Sequence, residues 1–184
     1  MLDRATLLAP CRNRVEALSL SQLRCCSIEA DLEQKDWVMK NHILRIDGEV
    51  QTPCVFDFAD MSALPDQIAD VAALMPGRHG TAVRLQTLLE TAGVNPQATH
   101  LTLHATDGDY AASVPLAAVA DSAILVYRVD EHPLPSSQGG PVRFLIPNAE
   151  ACGLGEVDGC ANVKYLDRIE ITHGPGKDTR PSRR

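Results

Sequence analysis

Apolar residues along this chain fall in short blocks broken by glycine, proline and aspartate, and most blocks alternate with polar residues instead of recurring at helical spacing. HILRIDGEV, residues 42–50, sets Ile43, Leu44, Ile46 and Val50 around Asp47-Gly48, which predicts a strand running into a turn. QTPCVFDF supplies a second short strand after Pro53 and so an early hairpin. DMSALPDQI predicts a helical turn capped by Asp60 or Ser62 and closed by Pro65. AVRLQTLLETAGV predicts the clearest helix: Val83, Leu85, Leu88, Leu89 and Ala92 share a face, and Gly93 stops it. In THLTLHATDGDYAASVPL, Leu101 and Leu103 alternate with Thr102 and His104 before an Asp107-Gly108 turn and a returning strand. LAAVADS reads as a short helix or turn. AILVYRV reads as a buried strand, VRFLI as another, and NVKYLDRIEITH, with Val163, Tyr165, Ile169 and Ile171, as the last. Strands outnumber helices and are joined by hairpins, so the expected class is α+β with mixed, mostly antiparallel sheets and short helices.

The two ends differ from this body. Residues 1–36 mix helix formers, with one short amphipathic set at Val15, Leu18 and Leu23, and predict a partly helical extension packed on the body, on a protein partner or on a second copy. Residues 37–172 form the domain, and the basic stretch 173–184 predicts a flexible, solvated tail. A net charge of −7 and 4% aromatics argue against a nucleic-acid surface or an anionic membrane as partner. No segment reaches membrane-spanning length, and cytoplasmic residence is the expectation. The six cysteines, Cys11, Cys25, Cys26, Cys54, Cys152 and Cys160, contain no CxxC pair. Cys152 and Cys160 flank a glycine-rich loop, but their spacing matches no familiar zinc pattern. Dinucleotide, P-loop and nucleophile-elbow motifs are missing.

Candidate chemistry centres on QGGPVRFLIPNAE. Arg143 sits in a strand between Val142 and Phe144, directly after Gly139-Gly140-Pro141. It either snorkels to water along its own stem or meets an anion near the glycines. A different reading is a hydrolase or proton-transfer enzyme using His79, His104 or His132 with Asp107 or Asp109, although aspartates flanking Gly108 are expected for turn formation alone.

The order of HILRIDGEVQTPCVFDFADMSALP, AVRLQTLLETAGV, DGDYAASVPL, ILVYRVDEHPLPSSQGGPVRFLIP and NVKYLDRIEI resembles the molybdopterin-binding domain of the sulfite oxidase family of oxidoreductases. The resemblance covers about residues 40–172. It implies that fold, and a pterin cofactor or other small anion as ligand. Arg143 would then face the pterin phosphate and Lys164 would approach it, with Asn41, His42, Arg78 and His79 as further polar candidates. Active members hold molybdenum through a cysteine thiolate ahead of the helix, whereas QIADVAALMPGRHGTAVRL has no cysteine and Val71 falls nearest that place. The turn before Lys164 departs as well: Gly159-Cys160-Ala161-Asn162 replaces a family pattern of the Gly-x-Lys-Ser type. The resemblance therefore implies a pterin-binding oxidoreductase-like domain without a cysteine ligand for molybdenum and with no catalytic residue assigned. The alternative is a cofactor-free binding or protein-interaction module on the same fold.

Overall fold

In the computed structural model, residues 42–147 and 161–180 are described. The expectations for the N-terminal extension, Asn41 and the Cys152–Cys160 loop lie outside them. The chain enters with β1 (Leu44–Gly48) and returns as β2 (Cys54–Phe56), the expected hairpin, with Ile46 opposite Cys54. Helix α1 (Phe58–Ala63) follows, and its cap is Asp57, not Asp60 or Ser62. The Asp57 carboxylate accepts from Asp60 N at 2.7 Å, while the Asp60 carboxylate accepts from Asp57 N at 3.2 Å. Each thus satisfies an amide that the first turn would leave open.

The segment expected to be one helix divides. Thr81–Arg84 is strand β3 and Leu85–Ala92 is helix α2, closed by Gly93 in the left-handed region. Ala82 and Val83 are both fully buried and lie in different apolar clusters, which requires alternation across a sheet, not one helical face. Next come β4 (His100–Ala105), β5 (Ala111–Pro115), α3 (Leu116–Val119), β6 (Ile124–Val129), β7 (His132–Pro133), β8 (Arg143–Leu145) and β9 (Leu166–Thr172). The last strand starts later than expected, because Tyr165 has φ 56° and breaks the extended run.

Five strands form one sheet in the order β2-β1-β9-β4-β5, antiparallel except for the parallel β1–β9 pair. In the second sheet β6 lies between β3 on one side and β7 and β8 on the other. The main core, with Leu44, Ile46, Leu88, Leu101, Leu103, Ile169 and Ile171, reaches the small sheet through Leu125, Tyr127 and Phe144. On the opposite face of β6 and β8, Ile124, Val126 and Leu145 join Val71 and Leu134, with Ile68 and Met75 packed against them. β6 is therefore apolar at successive positions because both its faces are covered. Each buried leucine or isoleucine there contributes roughly 1.5–3 kcal/mol of transfer free energy. Residues 68–75 form the outer cover of the small sheet.

The C-terminal stretch departs from the solvated tail expected of it. As far as Arg180 it runs along β5: Thr179 N donates to Ala111 O at 2.8 Å, Ala111 N to the Thr179 hydroxyl at 2.9 Å, and the Arg180 guanidinium to Ser113 O at 2.7 Å. These bonds occupy backbone groups of an edge strand, which otherwise invite pairing with another chain. A chain ending at residue 173 is expected to melt lower than the full protein and to associate in a concentration-dependent way. Size-exclusion chromatography and thermal melts of the two forms test this; unchanged behaviour would make the docking incidental. No described helix is long and apolar enough to cross a membrane.

Candidate anion site

Arg143 opens β8 opposite Val126 and shares a face with Leu145, so it lies on the outer side of the small sheet, at the border of the second apolar cluster. A short turn, Ser136–Gln138, precedes it and ends at Gly139 in the left-handed region, with φ 94°. Arg143 Nη1 donates to Gln138 O at 3.0 Å, which folds the side chain back over this turn. Its Nε is buried and has no partner among the described residues. Burial is the first cause lowering the Arg143 pKa, and the like charge of Arg78 is the second, while Tyr165 acts in the opposite sense. Arg78, on the loop leading to β3, therefore lies close enough to be felt as a charge.

The Lys164 side chain borders the turn ahead of Arg143. A Cβ added to Gly139 would meet the Lys164 side chain at 3.0–3.4 Å, so the lysine stem lies against this glycine. Tyr165 N donates to Gly139 O at 2.8 Å. The carbonyls of Gln138 and Gly139 thus anchor Arg143 and Tyr165 side by side. Among the described residues, Arg78, Arg143 and Lys164 have no carboxylate in an ion pair with them. Arg143, with a buried N–H to spare, and Arg78, felt by it as a charge, can take up a small anion, and the Lys164 stem borders the same turn. Among the described residues no ion pair joins Arg143 to Asp167.

The profile of the family described as "Oxidoreductase molybdopterin binding domain" matches residues 77–179, more than half of the 184. The chain belongs to this molybdopterin-binding domain family. Mitochondrial sulfite oxidase of Drosophila melanogaster is 35% identical over 100 residues, which cover 50% of this chain and 16% of the fly protein. The chain thus matches only a small part of that relative. The sulfane dehydrogenase SoxCD from Paracoccus pantotrophus shares the fold at a TM-score of 0.55 and 23% identity, over 73% of this chain and 39% of that one. The α+β class, with mixed sheets and short helices, and the sulfite-oxidase-like fold expected from sequence are both found.

Not every polar residue expected at a pterin site joins the cluster in this molybdopterin-binding domain. His79 Nδ1 lies 3.5 Å from the Asp70 carboxylate and is mostly exposed. His42 bears on Asp167, whose pKa is raised first by burial and is drawn down by His42 and His104, and it is not among the groups felt by Arg143. The proton-transfer sets are not assembled either. His104 Nε2 is 3.0 Å from Glu170, and Asp107 accepts from the amide of Asp109 at 3.2 Å within its own turn. No hydrogen bond or ion pair among the described residues joins His79, His104 or His132 to Asp107 or Asp109. Sequence reasoning missed Gln138 and Tyr165. A carbonyl contact leaves no mark on residue type, and Tyr165 was assigned to strand interior.

Asp70 holds the loop that carries Arg78. Its carboxylate accepts from Ala72 N at 3.0 Å and from Gly80 N at 3.3 Å, bridging the two ends of residues 70–80. Its pKa is lowered, first by the Ala72 amide, with His79 and Gly80 adding to the effect. A carboxylate depressed in the folded state stabilises above its unfolded pKa, and that contribution is lost as pH falls through the lower folded value. Amide exchange at Ala72 and Gly80 is therefore expected to be protected at neutral pH and to lose protection selectively on acidification. In Asp70→Asn the protection should be weak at every pH.

Proposed function

We propose that this chain is a divergent molybdopterin-binding domain that holds the phosphate end of the pterin with Arg143, Arg78 and Lys164 and does not anchor molybdenum through a protein thiolate. The observation that carries the reading is the Nε of Arg143, buried and without a partner among the described residues, within range of the charge of a second arginine, Arg78. A buried cationic donor left without an acceptor is costly, and a phosphate oxygen relieves both its hydrogen-bond deficit and the repulsion from Arg78. Lys164 adds charge from the other side of Gly139, and His79 contributes by tying down, through Asp70, the loop that carries Arg78. His42 falls outside this binding set. Molybdopterin, when bound, supplies sulfur ligands and thereby the redox chemistry of a metal. In the family a cysteine ahead of α2 adds a protein thiolate. Here that segment has none, and Val71 is fully buried in the outer core. Among the described residues the one cysteine, Cys54, is buried on β2 and donates to Thr52 O at 3.2 Å. Oxidoreductase activity of the kind named in the longer relatives is therefore not expected of this chain alone.

The same burial of Val71 favours a second reading, a cofactor-free module that binds a small anion or a protein. The N-terminal residues are the suggested contact with a protein partner or a second copy. Cytoplasmic residence fits a buried Cys54 thiol that forms no disulfide.

Elemental analysis and fluorescence of the oxidised pterin, on protein from a host that makes the cofactor, test these readings. About one pterin per chain with molybdenum well below that is the expected result. Stoichiometric molybdenum would overturn the absence of metal anchoring, and neither pterin nor metal would favour the cofactor-free module.

A further inference from the structure

Tyr165 is the least comfortable residue in the described structure. It has a left-handed backbone, φ 56°, although it is a bulky aromatic, and it is partly exposed, at 41%. Both its backbone polar groups are fixed: the N–H donates to Gly139 O at 2.8 Å, and the carbonyl accepts from Thr106 N at 2.8 Å and from the Thr106 hydroxyl at 2.9 Å. The phenol hydroxyl has no hydrogen-bond partner among the described residues. These bonds fix the backbone from which the ring projects. The carbonyl next to the Tyr165 anchor, Gln138 O, is the one that holds Arg143.

Resting on the proposed pterin-phosphate site, we infer that Tyr165 is a specificity-determining residue whose exposed ring stacks on a flat heteroaromatic ligand while Arg143, Arg78 and Lys164 take its phosphate. Cations alone accept any phosphate monoester. An exposed aromatic face beside them selects those carrying a planar ring, because stacking adds attraction that an aliphatic phosphate cannot gain. The strained backbone is consistent with such a role, since strain of this kind persists where surrounding bonds over-determine it.

The test uses the full chain and two probes, fluorescent hydroxymethylpterin phosphate and glycerol phosphate, with binding followed by fluorescence and calorimetry. The wild type should bind the pterin phosphate roughly tenfold or more tighter than glycerol phosphate. Tyr165→Phe should keep that preference. Tyr165→Ala and Tyr165→Asn should remove it through weaker pterin binding alone, with glycerol phosphate affinity unchanged. Tyr165→Asn should also melt higher than the wild type, because asparagine tolerates the left-handed backbone. A purely structural tyrosine would instead give variants that melt lower and keep the preference. If Tyr165→Ala and Tyr165→Asn bind both probes like the wild type, the stacking role is wrong and the anion site stands. If the wild type binds neither probe, or Arg143→Gln binds both unchanged, the anion site is wrong and the inference falls with it.

Discussion

Arg143→Gln is expected to weaken binding of phosphate monoesters by roughly tenfold to a hundredfold, the worth of one or two charge-assisted hydrogen bonds. The ligand-free protein should meanwhile keep its stability to within about 1 kcal/mol. The two expectations come from the same observations. Burial and the neighbouring Arg78 both act against the charged form of Arg143, and lower its pKa. An arginine is protonated on both sides of the folding equilibrium at any working pH, so this penalty is constant and is removed by the substitution. Against that gain stands the loss of the Nη1 bond to Gln138 O at 3.0 Å. Calorimetric titration with glycerol phosphate and a thermal melt separate the two quantities. A large fall in melting temperature with unaltered binding would assign Arg143 to the scaffold.

Gly140→Ala should be more damaging than any surface change, at about 3 kcal/mol or more in urea unfolding. A Cβ at this position would lie 1.7 Å from Leu134 O and 2.5 Å from Leu134 C. These are backbone atoms of a segment that is itself held: Leu134 N donates to Tyr127 O at 2.8 Å, and Gly140 N to Pro135 O at 3.1 Å. Relief would require pulling residues 134–135 off β6 and disturbing the turn that positions Arg143. Gly108, with nothing within 4 Å of its added Cβ, provides the comparison, and its alanine variant should lose only about 1 kcal/mol. Equal losses at the two positions would show that the backbone near Leu134 yields easily.

What the sequence disclosed follows the strength of local patterning. The β4–β5 hairpin and β6 were legible because each strand carries its own periodicity or apolar run, and the Asp107-Gly108 turn marks where the chain reverses. Residues 82–84 were misread as helix because Val83 fits the apolar face of Leu85, Leu88 and Leu89 equally well. Only the second apolar cluster, assembled from residues distant in the chain, shows that Ala82 needs burial on the opposite side. At the proposed site, Arg143 stood out as a charge in an apolar strand, and Arg78 and Lys164 were suggested through the family resemblance. His79 was grouped with them by adjacency, and its nearest carboxylate, Asp70, lies nine residues back. Tyr165 escaped notice because a positive φ cannot be read from a tyrosine.

The parallel pairing of β1 with β9 has a consequence for how the protein is made. β9 fills the gap between β1 and β4, so the five-stranded sheet has no continuous centre until residues 166–172 are available. On the ribosome, the β1–β2 and β4–β5 hairpins must wait as separate pieces, each with an open edge, through the synthesis of everything between Pro115 and Leu166. Protection by chaperones during that interval should govern yield, and a stop codon anywhere before β9 should leave two orphaned hairpins instead of a smaller folded protein.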